Sequence, residues 1–208
     1  MKFLIVDDHA IVRKGLSQLL KEEFVNAEVD ELSDSSEVFE KVKSKIMDVI
    51  LLDISMPGRN GLDILKQLRA DGIKAPVLML SMHPEDQYAL RALKAGASGF
   101  LNKESATEEL IAAVHKVLAG RKYVSASLAE KLAEGAGTGT DRPAHELLSD
   151  REMQVLQLIS SGKTVSEIAE EISLSVNTIS TYRNRILEKL LLNNNAELTR
   201  YAFDNRLV

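Results

Sequence analysis

Over the first 120 residues, short runs of Val, Ile and Leu recur at intervals filled by amphipathic stretches, and this alternation constrains the fold more than any other feature of the chain. The runs are Phe3 to Val6, Val49 to Leu52, Val77 to Leu80 and the shorter Gly99 to Leu101, with Ala27 to Leu32 as a more polar edge strand. Between them Ile11, Gly15, Leu16, Leu19 and Leu20 fall at helical spacing, as do Leu62, Leu65 and Leu68, then Leu90 and Leu93, and later Leu110, Ile111, Val114, Val117 and Leu118. Five strands alternating with five helices predict an α/β domain over residues 1 to 120, a doubly wound parallel sheet covered on both faces.

A composition shift follows. Residues 121 to 146 hold a short helix around Ser127 to Ala133 and then the Gly-rich stretch from Gly135 to Thr140 with Pro143, which buries too little to order itself and reads as a linker. Residues 147 to 208 show no strand pattern. Three helix starts carry capping-box spacing there: Ser149 with Glu152, Thr164 with Glu167, and Ser175 with Thr178. Leu148 and Met153 stand where a hydrophobic staple belongs, so a small all-α domain of about four short helices is expected.

The chain of 208 residues has no cysteine, which excludes disulfide and zinc-thiolate chemistry and suits a reducing compartment. Its first apolar run is too short for a signal peptide or a membrane span, so a cytoplasmic protein without membrane contact is expected. The net charge of −5 argues against indiscriminate coating of nucleic acid. Most of that acidity lies in residues 1 to 120, with 15 basic against 19 acidic residues, whereas residues 148 to 208 carry 7 against 8.

In an open parallel sheet, ligands bind beyond the carboxyl ends of the strands. The first strand ends in Asp7-Asp8, the third in Asp53, the fourth in Ser81 and the fifth in Asn102-Lys103. Singly, each has an ordinary explanation: Asp8 as a helix cap, Asp53 as a turn residue, Ser81 as a strand-end donor, Lys103 as a solvated charge. Jointly, three carboxylates and an ammonium on one rim call for a cation and an anion between them. Mg²⁺, which takes a few carboxylates and keeps several waters, suits the acids, and a phosphoryl group suits the remaining place.

These residues resemble the receiver domain of bacterial two-component response regulators: "VDDH" at 6 to 9, "LLDISMPGRNG" at 51 to 61 with its Asp-x-x-Met-Pro-x-x-x-Gly pattern, "LS" at 80 to 81 and "GFLNK" at 99 to 103. The resemblance covers about the first 120 residues. It implies a flavodoxin-like strand order 2-1-3-4-5 and a phosphoryl group accepted on Asp53 from a sensor histidine kinase. It further implies Mg²⁺ held by Asp7, Asp8, Asp53 and the Ser55 carbonyl, Lys103 paired with the phosphate, and a switch formed by Ser81 and Phe100. Phe100 is equally readable as a core aromatic. Phosphatases of the haloacid dehalogenase type share an Asp nucleophile, Mg²⁺ and a Lys, but their nucleophile follows the first strand in an Asp-x-Asp motif that this chain lacks there. The implied chemistry is that of a phosphoacceptor, with at most self-phosphorylation from small donors and self-dephosphorylation, and no enzyme activity on a separate substrate.

In the last segment Val165, Ile168, Ala169 and Ile172 form one apolar stripe, and Val176, Ile179, Ile186, Leu187 and Leu190 another, which is helix-turn-helix spacing. The other face of the second helix offers Asn177, Thr178, Ser180, Thr181, Tyr182, Asn184 and Arg185, with Arg183 and Lys189 alongside, groups that suit phosphates and base edges in a major groove. The stretch from Leu147 to Leu190 resembles the LuxR-type DNA-binding domain in its Ser-Asp-Arg-Glu opening and its Glu-Ile-Ala core, and the whole chain resembles the NarL/FixJ group. That resemblance implies a transcription regulator that binds double-stranded promoter DNA through Lys163, Thr164, Thr178, Ser180, Thr181, Tyr182, Asn184, Arg185 and Lys189, as a homodimer when phosphorylated or DNA-bound. An adaptor acting through the receiver, with little DNA affinity, is the alternative. The family usually places Gly where this chain has Leu191, and a Leu in the left-handed cap conformation costs ~1 to 2 kcal/mol.

Overall fold

The structure is a computed structural model that describes residues 1–82, 85–135, 143–205 and 207–208. It divides into two compact units, Met1–Gly137 and Thr138–Val208. In the first unit, strands β1 (Lys2–Val6), β2 (Glu28–Leu32), β3 (Val49–Asp53), β4 (Val77–Ser81) and β5 (Gly99–Asn102) alternate with helices α1 (Ala10–Glu23), α2 (Val38–Ser44), α3 (Gly61–Ala70), α4 (Glu85–Lys94) and α5 (Ala106–Leu118). The strands form one parallel sheet in the order β2-β1-β3-β4-β5.

Burial explains why the apolar runs lack alternation. Phe3, Ile5, Val49, Leu51, Leu78 and Leu80 join Leu16 and Leu20 of α1 and Leu110, Ala113 and Val114 of α5 in one core cluster. Their strand neighbours Leu4, Val6, Ile50, Leu52, Met79 and Phe100 point to the opposite face and are equally buried there. Strands apolar on both faces are what a sheet covered on both sides requires. At one edge β2 is half exposed and charged. At the other, the chain leaving α5 returns to lay Tyr123 beside Gly99 in a parallel bridge. The short helix expected near Ser127 is α6 (Ala126–Gly135), within the first unit; of the Gly-rich stretch, Gly135 closes that helix and residues 136–140 lie outside the described residues.

The second unit has a 3₁₀ turn at Ala144–Leu147 followed by α7 (Asp150–Ser160), α8 (Val165–Glu171), α9 (Val176–Leu190) and α10 (Asn195–Asp204). Both full capping boxes form, with Ser149 and Thr164 accepting from the backbone N–H of Glu152 and Glu167 while those carboxylates accept in return. Ser175 accepts from the Thr178 N–H. Leu191 ends α9 in the left-handed region, at φ 57° and ψ 42°, with its side chain exposed. The helix stops there, and a non-glycine residue takes the strained conformation.

Candidate functional site

Parallel strands force their carboxyl ends onto one rim, and the structure brings Asp7, Asp53, Ser81 and Lys103 together there, each buried. The Lys103 ammonium lies between two acids, 2.8 Å from Asp7 Oδ2 and 2.7 Å from Asp53 Oδ2. Asp8, half-buried, does not cap α1; His9 is the N-cap residue, and the Asp8 carboxylate instead meets His9 Nδ1 at 2.7 Å. Asp7 Oδ1 accepts from the His9 backbone N–H at 2.8 Å, and the Arg13 guanidinium donates to the Asp7 carbonyl.

The loop after β3 is shaped around Asp53. The Ser55 N–H donates to Asp53 Oδ1 at 3.2 Å, Met56 is buried beneath the loop, and Gly58 has φ +77°, a value glycine tolerates freely. Asn60 caps α3 by accepting from the Leu62 N–H. At Gly61 an added Cβ would fall 2.0 Å from the Asp53 carbonyl oxygen, so the glycine of the motif is a steric requirement of the site itself. The Lys103 N–H donates to the Ser81 carbonyl, which ties the ends of β4 and β5 together. Phe100 is fully buried, paired across the strands with Met79.

Electrostatically the rim is under tension. Burial, and secondarily the neighbouring Asp7 charge, push the Asp53 carboxyl up to about 6, against the pull of Lys103 and the Ser55 N–H. Asp7, Asp8, His9 and Asp53 each offer one ligand atom, all within 4.8 Å of one another. Asp7 Oδ2, Asp8 Oδ1 and Asp53 Oδ2 are buried and accept no aligned hydrogen bond, with Lys103 reaching the first and third as an ion pair. Three carboxylates facing one another outnumber the single Lys103 ammonium set between two of them, and clustered carboxylates are costly to bury without further positive charge, so the donor set fits a hard divalent ion. His9 and Arg13 were not singled out from sequence, where neither has a spacing that points to the rim.

In the second unit, α8 and α9 pack through buried Ile168, Ala169, Ile172, Ile179 and Ile186. The outward face of α9 presents Asn177, Thr181, Asn184 and Arg185 to solvent, while Ser180 and Tyr182 are half-buried on its flanks. A concavity of about 320 Å³ on this face is lined by Asn177, Thr178, Thr181, Tyr182 and Arg185. Several polar groups already have partners within the unit. Thr181 donates to the Asn177 carbonyl, Thr178 and Ser175 share a hydroxyl hydrogen bond, and Thr164 is held in its capping box. Lys163 is ion-paired with Glu171. Lys189 lies 2.6 Å from buried Glu152, whose carboxyl is held below its ordinary range by Lys189 and Ser149 against the opposing effect of burial. Arg185 makes no ion pair among the described residues.

Comparison with known proteins finds a family match in each of the two units. Residues 3–115 match the family described as response regulator receiver domain, and residues 146–202 match bacterial regulatory proteins, luxR family. The transcriptional regulatory protein UhpA of Escherichia coli (strain K12) is 38% identical over 200 residues, 96% of each chain. The response regulator UvrY of the same strain is 32% identical over 206 residues, 98% of this chain and 94% of that one. Among solved structures, RcsB from Salmonella enterica serovar Typhimurium, bound to promoter rprA with phosphomimetic BeF3-, superposes with a TM-score of 0.67 at 27% identity, covering 97% of both chains. The chain therefore belongs to the response regulators of the NarL/FixJ group, with a receiver domain followed by a luxR-family domain.

Proposed function

We propose that the receiver takes a phosphoryl group onto Asp53 from a sensor histidine kinase and that this modification controls binding of the luxR-family domain to promoter DNA. The observation that carries the reading is the Lys103 ammonium 2.7 Å from Asp53 Oδ2, in one cluster with the Asp7 and Asp8 carboxylates. At neutral pH an acid pushed up to about 6 is mostly ionised and nucleophilic. A carboxylate oxygen of Asp53 attacks phosphorus in line, the bond from phosphorus to the donor's histidine nitrogen breaks, and that nitrogen leaves with its electron pair and takes up a proton. Lys103 then transfers its attraction from the carboxylate to a phosphoryl oxygen, and Ser81 is positioned at the end of β4 to donate to another. Asp7, Asp8, Asp53 and the Ser55 carbonyl would hold Mg²⁺, which on binding neutralises charge on the phosphoryl oxygens.

The chain is a phosphoacceptor in this reading, not an enzyme turning over a separate substrate, and it works in the cytoplasm where kinase and DNA are both accessible. No described helix is long and apolar enough to cross a membrane. Rearrangement around Ser81 and Phe100 would favour a DNA-binding homodimer. The engagement of Lys163 by Glu171 and of Lys189 by Glu152 lowers the free positive charge of the helical unit and favours a second reading, an adaptor with little DNA affinity. Incubation with acetyl phosphate and Mg²⁺ tests the first step: the wild-type chain acquires acid-labile phosphate and Asp53→Asn does not. Equal labelling of both would refute Asp53 as acceptor, and phosphorylated protein that failed to retain any promoter fragment would favour the adaptor.

A further inference from the structure

The carboxyl-end rim accounts for one end of the sheet; the opposite end carries a feature with no part in that chemistry. A cavity of about 510 Å³ opens where α3, α4 and α5 end and where β4 and β5 begin. Arg69, Lys74, Arg121 and Lys122 line it, and none of its lining residues is acidic, in a domain whose formal charge is negative. Lys74, Arg121 and Lys122 make no ion pair among the described residues and are exposed. The size is that of small-ligand pockets.

Arg69 is pre-organised. Its Nε donates to the Gly96 carbonyl at 3.0 Å and its Nη1 to the Ile73 carbonyl at 2.7 Å, so its fork is fixed between two loops with other N–H groups to spare. Gly96, at φ +98°, lies against this side chain: an added Cβ would sit 3.2 Å from Arg69 Cγ and Nε. Burial lowers the proton affinity of the guanidinium, a penalty that a bound anion would relieve. The simplest competing explanation is that these cations balance the carbonyl ends of three helices. Each helix end carries roughly half a negative charge, about 1.5 in total against four cations, so most of the positive charge is left over. Ile73, Pro76 and Val117 add an apolar wall to the same cavity.

We propose that this cavity binds a polyphosphate anion of nucleotide size, held by Arg69, Lys74, Arg121 and Lys122 at the end of the receiver away from Asp53. The anion's source, a nucleoside triphosphate or free polyphosphate, is decided by whether the apolar wall contributes.

Calorimetric titration of the full chain in EDTA, which removes metal from the acidic rim, at about 0.15 M salt tests this with ATP, tripolyphosphate and inorganic phosphate as probes. Saturable binding of one ATP or tripolyphosphate per chain is expected, weakened at least about tenfold in the double variant Lys74→Glu/Arg121→Glu, as expected for the loss of two charged contacts. ATP binding tighter than tripolyphosphate assigns the site to a nucleotide, and equal binding assigns it to free polyphosphate. Both altered residues are exposed, and an unchanged circular dichroism spectrum confirms the fold. The variant Lys163→Glu/Arg185→Glu, in the helical unit, should bind both probes as the wild type does. Absence of saturable binding, retention of binding by the Lys74→Glu/Arg121→Glu variant, or loss through the helical-unit variant overturns the proposal.

Discussion

A Cβ at position 61 would lie 2.0 Å from the carbonyl oxygen of Asp53, so the residue that starts α3 and the residue proposed as phosphoacceptor share a space only hydrogen can occupy. Gly61 also donates its N–H to the Ile54 carbonyl at 2.9 Å, which leaves the loop little freedom to retreat. Gly61→Ala is expected to destabilise the receiver by at least ~2 kcal/mol, the scale of overpacking that moves backbone, and to slow phosphorylation because Asp53 is displaced with it. Chemical denaturation and labelling by acetyl phosphate measure the two effects; an alanine variant with wild-type stability would show that the loop yields.

Burial raises Asp53, so the folded state binds its proton more tightly than the unfolded chain does. Stability from this group is therefore lost as pH rises from the ordinary carboxylate value of 3.8 through about 6. Asp53→Asn, which cannot ionise, should be more stable than wild type at pH 7.5 in EDTA by roughly 1 to 3 kcal/mol, with the gap closing toward pH 4. Melting curves across that range check the sign.

Lys103 sets one ammonium against the buried Asp7 and Asp53 carboxylates at once. Removing one partner of such a pair leaves uncompensated charge and costs about 3 to 5 kcal/mol. Lys103→Ala should therefore be strongly destabilised in EDTA and largely rescued by Mg²⁺. Asp8→Ala should lose more Mg²⁺ affinity than Lys103→Ala does, because a carboxylate ligates the ion whereas the ammonium competes with it. Metal titrations of the two variants give the order directly.

Leu191 occupies the left-handed region with its side chain in solvent. Replacing it with Gly removes ~1 to 2 kcal/mol of strain and adds roughly 0.5 to 1 kcal/mol of unfolded-state entropy. Leu191→Gly should thus gain up to about 1.5 kcal/mol of stability, read from the melting of the helical unit.

On DNA, the polar and charged residues of α9 should separate by role. Asn184→Ala is expected to cost roughly 1 to 3 kcal/mol on the cognate site and to relax sequence preference. Arg185→Ala should weaken all sequences alike and flatten the salt slope by about one unit. Lys189 faces Glu152 and the Leu147 carbonyl, so Lys189→Ala should lower stability while leaving the salt slope close to wild type. Binding at several salt concentrations to cognate and scrambled duplexes, beside denaturation curves, distinguishes the three.

The strands and the acidic rim were legible because period and topology leave few choices. Once five apolar runs alternate with helices, their polar ends must share one side, and Asp7, Asp53, Ser81 and Lys103 follow. Less legible was anything fixed by a single dihedral angle or by a partner distant in sequence. His9 meets Asp7 and Asp8 because the backbone there is extended, at ψ 105°. Lys189 reads from sequence as a DNA-contacting cation alongside the recognition face, yet it pairs with Glu152, 37 residues away, and no local spacing announces the pair. The cationic cavity escapes sequence reading altogether, since its residues come from the ends of separate helices.

The bridge between Tyr123 and Gly99 bears on how the sheet avoids sticking to other molecules. An unpaired strand flank is a template for intermolecular pairing. The β2 flank is blunted by charge, with Lys45 joined to Glu28 and Asp30 at 2.9 Å. The β5 flank is apolar and buried, and it is shielded by the protein's own following chain, with the Tyr123 N–H on the Ser98 carbonyl at 2.8 Å and its hydroxyl on Glu109 at 2.6 Å. A fragment cut after Leu118 would keep every residue of the acidic rim and still uncover that flank, and self-association of the truncated receiver is the hazard that Tyr123 holds off.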